Sequence, residues 1–145
     1  MAVLVDTNIL LRISQPDTTH ATIAERALDA LRIRNEELRI TSQNLVEFWA
    51  VATRSLTENG LGFTVEQAMA QMLALKQLFI LLPEAPLQSV WERLVTSYRV
   101  AGKNSHDARL VAAMMVHGTR SILTFNVQDF TRYAEITVLD PRMVV

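Results

Sequence analysis

Asp6, Glu47 and Asp107 are acids placed where a folded sheet would gather them. Asp6 closes the apolar run Val3-Leu4-Val5, so a buried strand there delivers its carboxylate to the surface. Glu47 lies six residues past a second apolar run that ends at Thr41, on the early turns of the helix expected to follow. Asp107 stands in the first turn of a third segment, a helix opening near Ser105, where the positive end of the helix dipole favours an anion. Asn126 and Asp129 follow a further apolar run that ends at Thr124. In open parallel sheets ligands bind beyond the carboxyl ends of the strands, and all these groups belong to that edge. Carboxylates brought together repel unless a divalent cation joins them. An all-oxygen set of this kind suits Mg²⁺ or Mn²⁺, whereas zinc would want imidazole or thiolate. Two such ions can position a water and stabilise both oxygens of an in-line phosphodiester displacement.

Each acid also has a plainer explanation. Asp6 can cap the short helix that begins near Ile9. Glu47 can be a solvated helix-surface acid, although its neighbours Leu45, Val46, Phe48 and Trp49 leave no broad polar face around it. Asp107 can be an ordinary helix-start acid. No local regularity generates the spacing of the three, so it is their combination that points to chemistry.

The elements that must position them alternate between short apolar runs and helix-length amphipathic segments. Strands are expected over Ala2–Val5, Leu38–Thr41, Phe79–Leu82, Ser121–Thr124 and Ile136–Leu139. Helices are expected from Ile9 to Ser14, from Thr19 to Arg34 after Pro16, through Leu45, Trp49 and Ala52, and from a capping box at Thr64 and Gln67 to about Gln77. Two more run from Pro86 to about Arg99, and from a Ser105 cap to His117, which Gly118 closes. Asn59-Gly60-Leu61-Gly62 reads as a loop. This alternation implies an α/β fold, a sandwich with a largely parallel sheet and right-handed crossovers. No repeat or linker divides residues 1–145, so one domain is expected.

Composition bounds the function. A chain of 145 residues buries roughly two thirds of its unfolded surface. A net charge of −1 excludes a wholly electrostatic nucleic-acid binder, so phosphate must be held locally, by metal or a few cations. The absence of cysteine excludes disulfides and thiolate zinc sites and fits a reducing compartment. No cationic leader opens the sequence, and no segment approaches the ~20 apolar residues of a membrane helix. A cytoplasmic protein with no membrane association is expected.

Four stretches together resemble the PIN domain, the metal-dependent ribonuclease fold of VapC-type toxins in bacterial toxin–antitoxin pairs. They are Val5-Asp6-Thr7-Asn8-Ile9-Leu10, Ser42-Gln43-Asn44-Leu45-Val46-Glu47, His106-Asp107-Ala108-Arg109-Leu110 and Thr124-Phe125-Asn126-Val127-Gln128-Asp129-Phe130, and they span nearly the whole chain. The resemblance implies a PIN-like three-layer α/β/α sandwich. It also implies an Mg²⁺- or Mn²⁺-dependent endoribonuclease that leaves a 5′-phosphate and a 3′-hydroxyl. The implied partners are an RNA substrate, a small antitoxin and a second copy in a homodimer. By the same resemblance Asp6, Glu47 and Asp107 are metal ligands and catalytic residues, assisted by the Thr7 and Thr124 hydroxyls. Relatives often carry a fourth aspartate two residues after the threonine that ends the fourth strand. Here Asn126 occupies that position and offers a neutral oxygen or steadies a water. Asp129, three residues on, either substitutes as a metal ligand or caps the segment beginning at Phe130. Either arrangement weakens binding of the second cation.

Other signals carry less. Ser105-His106-Asp107 imitates a catalytic triad only in print, because adjacent helix residues point about 100° apart. His20 and His117 have no metal-ligand spacing and are expected at helix ends. Arg12, Lys103 and Arg109 lie near the acidic edge and could meet RNA phosphates. The stripe Met69, Met72, Leu75, Leu78 is expected to pack on the core or a second subunit, and Phe63 to plug the core. Two competing functions remain open. One is an aspartyl-nucleophile phosphohydrolase, which generally wants a second acid where Asn8 stands. The other is a non-catalytic RNA- or partner-binding module with a degraded metal site.

Overall fold

The computed structural model describes residues 1–15 and 18–145, so Pro16 lies outside the described residues. Among the described residues, the strands are β1 (Ala2–Val5), β2 (Glu37–Ile40), β3 (Ile80–Leu81), β4 (Ser121–Leu123) and β5 (Thr137–Leu139). The α-helices are α1 (Thr7–Ile13), α2 (Thr19–Ile33), α3 (Ser42–Ala52), α4 (Val65–Leu78), α5 (Gln88–Ser97) and α6 (Asn104–Val116). The strands pair in the order β3-β2-β1-β4-β5, and every pairing is parallel.

Alternation of side chains along the strands makes the layers. Val3 and Val5 of β1, Leu38 and Ile40 of β2 and Leu123 of β4 join one core with Ile9 and Leu10 of α1, Leu28 of α2, Phe48 of α3 and Leu75 of α4. Leu4 of β1 and Ile122 of β4 join the opposite core with Leu94 of α5 and Val111 and Met114 of α6. The result is the α/β/α sandwich, with α1–α4 on one face and α5–α6 on the other. Burying each of these large apolar side chains is worth about 1.5–3 kcal/mol, which is what holds the strand ends in register.

Local chemistry accounts for most element boundaries. Thr64 and Gln67 form the expected capping box at the start of α4, with bonds of 3.1 Å and 2.9 Å. A Cβ on Gly60 would lie 2.0 Å from the Arg54 carbonyl oxygen, so only glycine lets the loop after α3 fold back this closely. Several expectations need correction. α1 starts at Thr7 rather than Ile9, because Asp6 caps it. Ser105 is not a cap: α6 starts one residue earlier, and the Ser105 hydroxyl donates to the Gly102 carbonyl at 2.7 Å. α5 begins at Gln88, two residues beyond Pro86. The third strand shrinks to two residues on the sheet edge, where Ile80 and Leu81 are exposed. The methionine–leucine stripe of α4 divides, Leu75 and Met72 turning to the core while Met69 and Leu78 face outward. Phe63 does pack on the core.

Candidate functional site

The strand order reverses between β1 and β4, since the chain builds outward from β1 through β2 and β3 before returning to β4. In parallel sheets such a switch point opens a crevice at the carboxyl ends of the strands. Asp6 and Thr124 stand on its two sides. The Asp6 N–H donates to the Leu123 carbonyl at 3.0 Å, and the Thr124 hydroxyl donates to Asp6 Oδ2 at 2.8 Å. Asp6 Oδ1 accepts the Thr7 N–H at 2.8 Å, so the same carboxylate both caps α1 and faces the crevice.

Glu47 reaches this point from the other side of β1. β2 ends at Ile40 and Thr41 follows it, its hydroxyl capping α3 while the Asn44 carboxamide oxygen accepts the Thr41 N–H at 2.9 Å. The buried Asn44 then donates to the Thr7 hydroxyl at 3.1 Å, and Thr7 donates to Glu47 Oε1 at 2.7 Å. Gln43 donates to Glu47 Oε2 at 3.1 Å and to the His106 carbonyl at 2.8 Å, which ties α3 to the first turn of α6. Asp107 sits in that turn.

Electrostatics shows how near the acids are. Asp6 is pushed from the usual 3.8 up to about 6, chiefly by burial and further by the charges of Glu47 and Asp129, against the bonds from Thr124 and Thr7. Asp107 is pushed up to about 7 by burial and then by Asp6, Asp129 and Glu47, with Arg132 opposing. Glu47 and Asp129 are thus each in electrostatic reach of both Asp6 and Asp107, although the four come from separate segments. Asp129 is the last residue of a short 3₁₀ turn, Val127–Asp129, and Phe130 is that turn's C-cap, so Asp129 does not cap a segment beginning there. Asn126 is exposed at the turn's start, and its N–H donates to the Thr124 hydroxyl at 3.0 Å.

Among the described residues, no three His, Asp or Glu side chains close into a ready-made cage for an ion. The residues nevertheless fit a hard dication. The donors are all oxygen, and burial together with the neighbouring charges raises Asp6 to about 6 and Asp107 to about 7, a burden a cation relieves. Mg²⁺ commonly takes only one or two protein carboxylates and keeps several waters, which suits an open cluster.

Three neutral amides in this network were not legible as functional. Asn8, part of the opening motif and the residue standing where a phosphohydrolase wants a second acid, bridges Asp6 Oδ2 at 3.2 Å and the Thr124 hydroxyl at 3.0 Å while its oxygen takes the Phe125 N–H at 3.1 Å. Gln43 and Asn44 belong to the second of the four family-like stretches without a role of their own there, yet Asn at the third position of α3 completes a capping box with Thr41. Of the basic candidates, Arg109 lies closest to the network, donating to Gln43 Oε1 at 3.1 Å. Arg12 is in the last turn of α1, about 9 Å along that helix from Asp6. Lys103 is exposed just before α6. His20 lies at the start of α2 with its ring edge-on to Phe125, and His117 is the C-cap of α6.

A family model described as PIN domain matches residues 3–136. No curated protein matches the chain in sequence. Among solved structures, the chain is similar to one in VapBC2 from Rickettsia felis bound to a DNA fragment from their promoter. The TM-score there is 0.73 at 16% identity, covering 96% of this chain and 98% of that one. It is also similar to a chain of VapBC-1 from nontypeable Haemophilus influenzae, with TM-score 0.69, 17% identity and coverage of 97% and 98%. FitAcB from Neisseria gonorrhoeae gives TM-score 0.66 at 18% identity, with coverage of 97% and 98%. At these identities the likeness is one of fold.

Proposed function

Since the chain belongs to the PIN domain family, we propose that it is a metal-dependent endoribonuclease and the toxin of a toxin–antitoxin pair. The observation that carries this reading is the gathering of Asp6, Glu47, Asp107 and Asp129 at the β1–β4 crevice, where burial and the surrounding acids raise the proton affinity of Asp6 and Asp107. A structural role would be served better by neutral side chains, because clustered like charges destabilise a fold that has no cation to hold.

Asp6, Glu47 and Asp107 are the proposed ligands, with Asp129, whose charge acts on both Asp6 and Asp107, as a fourth. A bound Mg²⁺ or Mn²⁺ supplies positive charge at the scissile phosphate and acidifies the attacking water. Thr124 and Asn8 hold Asp6 in one orientation, and Thr7 and Gln43 hold both oxygens of Glu47. Asn126, exposed beside the crevice, offers a neutral carboxamide to a water or to the RNA backbone. Attack by water at phosphorus in line with the departing 3′-oxygen leaves a 5′-phosphate and a 3′-hydroxyl. Arg132 is the cation whose charge already acts on Asp107.

The VapBC assemblies among the similar structures support a small antitoxin as partner. A homodimer and a cytoplasmic location complete the reading. Among the described residues no helix is long and apolar enough to cross a membrane.

Labelled structured RNA should be cut with Mg²⁺ or Mn²⁺ and spared by chelator and by Asp6→Asn. Cutting that survives both treatments refutes the reading. RNA affinity without turnover in either metal would instead favour the non-catalytic module, which the neutral Asn126 makes the second reading.

A further inference from the structure

We infer that the cavity between α5 and α6 seats a base of single-stranded RNA beside the scissile phosphate, with Trp91 as the stacking surface and Arg109 as the phosphate contact. The assignment rests on the nuclease reading. The cavity encloses about 370 Å³ and is lined by Leu87, Gln88, Trp91, Ser105, His106 and Arg109.

Its wall adjoins the acidic cluster through covalent neighbours and hydrogen bonds. His106 precedes Asp107, and its carbonyl accepts the same Gln43 amide that donates to Glu47. Arg109 donates to the oxygen of that Gln43 at 3.1 Å, which spends one of its five donors and leaves the rest of an exposed guanidinium free for a phosphate. His106 and Arg109 are three residues apart on α6 and share a face, which the intervening Asp107 does not.

Trp91 is fitted for stacking. Its indole N–H donates to the Ser105 carbonyl at 2.9 Å, which fixes the ring against α6 with its hydrogen-bonding capacity used. The half-buried ring then has only its π-face to offer. Base stacking is sequence-tolerant and needs a base already out of a duplex, so the ligand is a single strand or loop. The need for such a seat follows from charge. With net charge −1 overall and acids at the crevice, the protein has no broad basic field to hold RNA, so away from a metal-held phosphate the affinity falls to aromatic and single-cation contacts.

The test uses Trp49→Phe, which leaves Trp91 as the sole indole, combined with Asp107→Asn to lessen repulsion of the strand. A single-stranded RNA of about eight nucleotides should quench Trp91 emission, and a duplex of equal length should not. By anisotropy of the labelled strand, Arg109→Ala and Trp91→Leu should each weaken binding about ten-fold, and Trp91→Phe should restore most of it. If Trp91→Leu fails to fold, the exposed Arg109 decides. Binding without quenching, and unaltered by Arg109→Ala, overturns the seat, while Mg²⁺-dependent cleavage by the unsubstituted protein would leave the nuclease reading intact. No binding at all also overturns it. Quenching and the affinity losses without cleavage would uphold the seat and remove the nuclease.

Discussion

Replacing Asp107 by asparagine should stabilise the protein in chelator at pH 8. Asp107 is raised from 3.8 to about 7, and among the described residues no hydrogen bond contributes to its shift. The charged form is therefore disfavoured in the folded state, and nothing specific is lost with the charge. A shift of this size corresponds to about 4 kcal/mol between the two protonation states. Asp107 keeps contact with solvent, so screening reduces the recoverable part to about 1–2 kcal/mol. For a chain of this length that is a rise of about 2–8 °C in melting temperature. The sign depends on pH. A carboxyl whose folded value is raised favours the fold while protonated, and that stability is lost as pH climbs from about 4 through about 7. The gain from Asp107→Asn should therefore be largest at pH 8, fall to about a third of that at pH 5, and vanish only below about pH 4, where the group is neutral in both the folded and unfolded states. With Mg²⁺ present the order should reverse, because only the wild type gains ion binding. Melts followed by circular dichroism in chelator and in Mg²⁺ at both pH values measure all four cases. An unchanged or lower melting temperature at pH 8, or an equal gain at pH 5, would refute the convergence of the acids.

Thr124→Val should destabilise by about 1–3 kcal/mol, since it takes one bond each from Asp6 Oδ2 and the Asn8 amide, which keep each other, and leaves the Asn126 N–H without its hydroxyl partner, whereas Thr124→Ser should be nearly neutral; denaturant titration distinguishes them. Tyr133→Phe should be neutral or stabilising by up to about 1 kcal/mol, because among the described residues the buried phenol oxygen has no hydrogen-bond partner. A loss above that in a urea melt would reveal a bond to this oxygen. Gly60→Ala should cost about 2 kcal/mol or more by thermal melting, as the added methyl meets the Arg54 carbonyl at 2.0 Å.

What could be read from the sequence was what bulk hydrophobicity and fixed-spacing chemistry encode. β1 was legible because a strand buried on both faces must be continuously apolar, and Leu4 does pack opposite Val3 and Val5. The α4 cap was legible because Thr64 and Gln67 fit a spacing that few other structures require. Apolarity cannot tell a central strand from an edge, which is why Phe79–Leu82 shrank to Ile80–Leu81. Ser105 misled because a serine near a helix start has two carbonyl-rich turns within reach, and its hydroxyl chose Gly102. The acids could be grouped because each follows a strand or opens a helix at the same sheet edge. Asn8, Gln43 and Asn44 could not, since an amide carries no charge and its value depends on which neighbours the fold supplies. Their role emerges only once β1, β2 and β4 lie side by side.

The Thr41–Asn44–Thr7–Glu47 chain has a direction. A main-chain N–H can only give a proton, so the Asn44 oxygen must face Thr41 and its NH₂ must face Thr7. Thr7, already receiving, passes its own hydrogen onward, and Glu47 Oε1 is left as the recipient. Polarity set by the peptide just past β2 is thus handed through two side chains, one of them on α1, to a carboxylate on α3. Swapping Asn44 for aspartate would reverse the relay at its middle link and turn Glu47 away.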